Sequence, residues 1–254
     1  MGTLGKIAVV IVLGIIAIPV GCFGSAVVYE VWNTYTYRYR LTVEVETPDG
    51  LKSSSSVVEF SARPKAGWIP QTSGIAPSAR GEAVFVDLGG GRNVIALLAS
   101  GPKAEYFDYP YYVVPRHFKL GRNDLQELKT YSSLQGQWDL PSQDLPTLIT
   151  FSDLSDPTTA QVLQPSEFEQ RFGPGFQFKR AFVEMVSPGT WPFRSLGWPS
   201  SFAGEPVTRG IERKFPWWNG PFPWLKPIGG GAAIDTRTER DGFRWHKEHF
   251  KRES

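Results

Sequence analysis

Residues 37–50 read YRYRLTVEVETPDG, and the fold follows from how this stretch alternates. Tyr37, Tyr39, Leu41, Val43 and Val45 interleave with Arg38, Arg40, Thr42, Glu44 and Glu46. A period of two places every apolar group on one face of a β-strand, with the polar groups on the other. On this reading Leu41 and Val43 are core positions, and Thr42, facing outward, tolerates Asp. Thr47-Pro48-Asp49-Gly50 supplies the residues of a tight turn, and Val57, Val58 and Phe60 return the chain, so the pair predicts a β-hairpin.

Further along, Ala83–Leu88 and Asn93–Ala99 are apolar runs separated by Gly89-Gly90-Gly91-Arg92. Apolarity broken only by Asp87 and Asn93 predicts strands covered on both faces, and the glycines predict a turn. They do not form a phosphate loop, because no Lys-Ser/Thr and no helix start follow them. Leu125, Leu128 and Tyr131 at helical spacing, with Asn123 as N-cap, predict a short helix over Asn123–Ser133. Pro165–Phe172 predicts a second, stopped by Gly173-Pro174. Thr147–Phe151 and Phe176–Val186 read as strands, the latter with Phe176, Phe178 and Phe182 on one side and Ala181, Val183 and Met185 on the other.

Upstream, residues 7–28 read IAVVIVLGIIAIPVGCFGSAVV, twenty-two residues without a charge. That is long enough to cross a hydrocarbon core of about 30 Å. Thirteen of them are Ile, Leu, Val or Phe, and such side chains favour insertion by roughly 0.3 to 0.6 kcal/mol each. An uncleaved anchor, a signal cleaved after Gly24-Ser25-Ala26, and lipid attachment at Cys22 are the three outcomes. The anchor is preferred because Val27 and Val28 continue the apolar run and Tyr29, Trp32, Tyr35 and Tyr37 follow as an interfacial belt. The bulk of the chain is then on the exported, periplasmic side, or secreted if the segment is removed.

The expected fold class is α+β and β-rich: an N-terminal transmembrane or signal-anchor helix, then a mainly antiparallel β domain with two short helices and a Pro/Trp-rich loop region. The divisions are residues 1–28 (anchor or signal), 29–186 (exported domain), 187–228 (Pro/Trp-rich segment) and 229–254 (charged, mobile tail). The third part holds five of the nine tryptophans and eight prolines, a density that leaves no regular element.

The blocks YRYRLTVEVETPDG, RGEAVFVDLGGG, LPTLITFSDLSDPTTAQVLQPSEFEQRFGPG and EPVTRGIERKFPWW resemble those of uncharacterised single-pass membrane-anchored envelope proteins of alphaproteobacteria, a family of unknown function. The resemblance covers most of Arg38–Trp218. It implies export and one common domain, and it brings no activity, cofactor or catalytic residue.

Composition narrows the function classes. The 27 Lys plus Arg nearly balance the 25 Asp plus Glu, a net charge of +2, which gives no broad field for nucleic acid. One cysteine and three histidines leave no disulfide framework and no multi-cysteine metal site, and no cofactor is expected. Ser100-Gly101-Pro102-Lys103 spells a Ser-x-x-Lys pattern, but Gly-Pro prevents the helical turn that chemistry needs. His246 and His249 stand among Arg244, Lys247, Lys251 and Arg252 and read as a solvated charged tail; His117 reads as a surface or packing residue. Asp139, Asp144, Asp153 and Asp156 are the carboxylates a glycan or peptidoglycan hydrolase would have to bring together.

The remaining signal is Phe215-Pro216-Trp217-Trp218 and Phe222-Pro223-Trp224, preceded by Arg209, Arg213 and Lys214. Rigid aromatic units beside cations suit an anionic membrane surface or a partner. The competing reading is a loop pinned across the sheet by its own rings. The function expected is a membrane-tethered, non-catalytic cell-envelope binding or scaffold module, with an envelope protein or glycan as partner; the alternative is the carboxylate hydrolase.

Overall fold

The computed structural model describes residues 34–64, 74–121, 125–189, 204–219, 225–228, 231–235 and 244–253. The anchor segment with Cys22 and, within the Pro/Trp-rich stretch, residues 190–203 and 220–224, Trp224 among them, lie outside these residues. Among the described residues no helix is long and apolar enough to cross a membrane.

The alternating stretch forms strand β1 (Tyr35–Thr47) and turns at Gly50, φ +102°, into β2 (Gly50–Pro64). Their antiparallel register runs from Tyr35 opposite Ala62 to Thr47 opposite Gly50. The five odd positions from Tyr37 to Val45 are buried, as the period requires. The opposite face is covered as well, which the alternation did not reveal. Thr42 is 7% exposed, and Arg38 is buried with its guanidinium on Glu59, Nε to Oε2 at 2.7 Å, while Arg80 pairs with the same carboxylate. The expected tolerance of Thr42 to Asp is therefore withdrawn.

Strand β3 (Ile75–Glu82) pairs with β2, and Ala83 alone separates it from β4 (Val84–Gly89), where the chain crosses into a second sheet. Gly81 makes that crossing possible: at φ +152°, a Cβ would sit 2.9 Å from Val58 Cγ2 and 3.0 Å from Val58 Cα. The triglycine turn joins β4 to β5 (Arg92–Ala96). Helix α1 (Tyr109–Phe118) and helix α2 (Leu125–Thr130) follow, then β6 (Gln137–Asp139), β7 (Leu148–Phe151), β8 (Ala160–Leu163), helix α3 (Phe168–Phe172) and β9 (Gln177–Val186). Helices α2 and α3 lie where the spacing put them. Helix α1 was not foreseen: Pro110 opens it, Pro115 lies inside it, and its helicity rests on burying Tyr109, Val113 and Val114.

Strand β9 carries a bulge. Arg180 faces Glu44 but Phe178 faces Val45, leaving Lys179 as the extra residue. The bulge exchanges the faces of its two ends. Phe178 packs with the core while Phe182 stands opposite Thr42, correcting the single-faced phenylalanine row.

Strands β10 (Leu225–Ile228), β11 (Gly231–Asp235) and β12 (Arg244–His246) form a small antiparallel sheet, so the Pro/Trp-rich stretch does hold regular structure at its end. Helix α4 (Lys247–Phe250) and β13 (Lys251–Glu253) close the chain, and β13 pairs with β3. The tail expected to be mobile is thus structured wherever it is described. Phe250 and His249 are buried, and the carbonyls of these two residues accept from Ala83 and Leu98 at 2.8 and 2.7 Å. His249 Nε2 donates to Ala104 O at 3.0 Å and its ring stacks on Phe107, so the solvated-tail reading of this histidine is corrected too.

Two cores result. The sheets β13-β3-β2-β1-β9-β6 and β4-β5-β7-β8 enclose the first, with the odd residues of β1 meeting Val84, Val86, Val94 and Ala96. The other face of the four-stranded sheet, bearing Ile95, Ile149 and Phe151, packs with Ile211, Phe215, Trp217, Trp218 and Phe250. That double covering explains the continuous apolarity of residues 94–99.

Candidate functional site

Residues 204–218 lie across the four-stranded sheet because their apolar side chains are buried at intervals. Thr208 starts the crossing, with its amide donating to Val57 O at 3.1 Å while its hydroxyl accepts from the Val57 amide at 2.7 Å. The Gly210 and Ile211 amides donate to the two carboxylate oxygens of Glu82 at 2.8 and 2.7 Å. This caps the 3₁₀ turn Ile211–Lys214. Gly210 needs φ +108°, and a Cβ there would strike the guanidinium of Arg213.

Burial of Ile211, Phe215, Trp217 and Trp218 leaves the intervening cations outside. Arg209, Arg213 and Lys214 are exposed, and together with Ser54, Ser55 and Phe85 they line a groove of about 380 Å³. Lys214 Nζ stands 5.3 Å from the Phe85 ring centroid, a cation–π contact. None of the three cations pairs with a carboxylate among the described residues. The nearest acids are engaged elsewhere: Glu82 by the two amides, and Glu212 by Lys251 at 3.4 Å. Desolvation raises the Glu82 pKa above the ordinary carboxylate range, against the pull of its amide donors and Lys251.

The six residues expected to make contact thus divide. Arg209, Arg213 and Lys214 converge on one groove. Trp217, 2% exposed, and Trp218, 8% exposed, belong to the second core, which corrects their assignment to a membrane or partner surface: their area is needed to cover the sheet. Trp224 lies outside the described residues. Ser54 and Ser55 were missed, since a run of serines in a strand gives no periodic signal.

Each of the four aspartates is engaged by a cation or by its own turn. Asp139 pairs with Arg180 at 3.2 Å and Asp144 with Arg116 at 2.6 Å. Asp153 accepts from Ser155 N and Oγ, and Asp156 from Thr158 N and Oγ1. These last two are turn-forming contacts, and the two Ser155 bonds hold the Asp153 carboxyl below its usual range. Ser100 meets the Tyr112 hydroxyl instead of Lys103. His117 is exposed and stacks on Trp138 with ring centroids 4.1 Å apart, the packing role expected. No group of three or more His, Cys, Asp and Glu is arranged to hold a metal ion among the described residues.

Comparison with protein-family models, with characterised proteins and with solved structures gave no match for this chain.

Proposed function

We propose that the protein is a membrane-tethered, non-catalytic binding or scaffold module of the cell envelope, whose basic groove rests against the anionic surface of the membrane that holds its amino-terminal segment. The observation that carries this reading is the gathering of Arg209, Arg213 and Lys214, exposed and without a carboxylate partner among the described residues, beside two serines. Three cations near an anionic surface contribute about 1 kcal/mol each. Free in solution, that gives only marginal binding, since Trp217 and Trp218 are committed to the core. A tether changes the arithmetic: residues 7–28 hold the domain at the bilayer, so a weak contact acts at high effective concentration. The groove then sets how the domain sits on the surface, and the tether supplies the affinity.

Hydrogen exchange of the full chain in lipid nanodiscs tests this. Amides of residues 208–214 exchange more slowly in discs containing phosphatidylglycerol than in discs of phosphatidylcholine alone. Equal exchange in both would remove the reading.

A further inference from the structure

We propose that a second groove, with Tyr106 as its stacking platform and Gln143 at its midpoint, binds a neutral glycan strand. Two clefts of about 540 and 530 Å³ share Gly101 and Gln143 as lining residues and so adjoin one another. Each has the volume of a ligand site, and side by side they suit a chain better than a single ring.

The platform is built. Tyr106 is 56% exposed, one of two large hydrophobic side chains left so open among the described residues. Its backbone is not free: Ser100 and Tyr106 exchange both amide–carbonyl bonds, at 3.1 and 3.0 Å. Inside the loop Ala104 is held at φ +51°, buried, with its carbonyl taking the His249 bond. A non-glycine residue in the left-handed region costs energy that the surroundings must offset, and such strain gathers at binding loops. An aromatic ring fixed in this way loses little entropy on contact.

The lining matches a polyhydroxylated ligand. One face of a pyranose is a sheet of C–H groups that packs on an aromatic ring, and its rim presents hydroxyls that both donate and accept. Around Tyr106 stand Ser100, Asp108, Tyr112 and Gln143; the second lobe adds Ser142, Thr147, Gln164 and Ser166. The one cation of the first lobe, Arg116, is neutralised by Asp144 and lies 5.0 Å over the Tyr112 ring. Among the described lining residues no unpaired cation remains to select an anion, in contrast to the basic groove. An extended peptide fits less well. It needs a strand edge, which β8 offers in the second lobe through Val162 and Leu163, whereas in the first lobe the Ser100 and Tyr106 amides are each taken by the other's carbonyl.

The test uses the full chain in micelles of a neutral detergent that carries no sugar headgroup. Titrants are β-1,4-linked hexamers of N-acetylglucosamine and of glucose, the matching dimers, and an uncharged hexapeptide. At least one hexamer saturates the protein, and more tightly than its dimer. Tyr106→Ala weakens that binding about threefold to tenfold, the range for a lost aromatic contact; Tyr106→Phe keeps it and Gln143→Ala reduces it. Both residues are exposed, so the variants melt with the parent. Reversal of Arg209, Arg213 and Lys214 to Glu leaves sugar binding unchanged, separating this site from the basic groove. Saturation by neither hexamer, indifference to Tyr106→Ala, or saturation by the peptide alone would each overturn the proposal.

Discussion

The amide of Ile211 donates to Glu82 Oε2 at 2.7 Å, across 129 residues of chain, and fixes where the basic turn stands on the sheet. Glu82 is 2% exposed, and burial raises its pKa. A carboxyl whose pKa is higher folded than unfolded contributes stability that is present below its unfolded value and lost as pH rises through the folded one. The advantage of the parent over Glu82→Gln therefore shrinks as pH is raised through and above the ordinary carboxylate range. Urea midpoints of both proteins between pH 4 and 7, about the span of carboxyl titration, check this. A difference that grows with pH would show that the amide bonds outweigh desolvation.

Trp217 and Phe250 come from distant parts of the sequence and stand 6.1 Å apart in the second core. Trp217→Ala and Phe250→Ala each cost about 3–5 kcal/mol, the usual loss for a large buried aromatic ring. The double variant costs less than the sum, because the two rings share one cluster. Chemical denaturation with a double-mutant cycle measures it. Losses below about 1 kcal/mol would place the rings at the surface, and additivity would show that they do not share one cluster.

Thr42 and Leu41 are adjacent and face opposite ways, yet both are buried. Leu41→Asp places an unpaired charge between the sheets and costs at least 3–5 kcal/mol. Thr42→Asp, with Arg40 on the same face, costs about 1–3 kcal/mol for its desolvation. Neither substitution is silent. A Thr42→Asp protein as stable as the parent would show the outer face of β1 to be open to water.

Strict alternation in residues 37–46 made β1 legible, and unbroken apolarity in residues 94–99 correctly signalled two covered faces. What the second covering consists of was not legible. It comes from residues 211–218 and from Phe250, a lone apolar residue in the charged run Lys247–Glu253. Burial there is settled by pairing with β3 and by the backbone bonds to Ala83 and Leu98, contacts between residues far apart in sequence. The bulge at Lys179 and helix α1 were hidden for related reasons: one is a mismatch between two strands, and the other holds a proline-containing segment helical by what it packs on. At the candidate site the cations could be read as a cluster, but which aromatics stay exposed depends on the sheet beneath them.

The most direct test of the basic groove titrates the full chain, in neutral detergent micelles, with short-chain phosphatidylglycerol and with phosphatidylcholine of the same length. If the amino-terminal segment is embedded in the micelle, as proposed, any difference between the two lipids reports on the rest of the chain. Tighter association with phosphatidylglycerol is expected, weakening with salt as screening shortens the reach of the charges. The Arg209→Glu, Arg213→Glu, Lys214→Glu triple variant abolishes the preference; three contributions of about 1 kcal/mol correspond to roughly a hundredfold. Equal binding of both lipids by the parent, or a preference retained by the triple variant, would contradict the account.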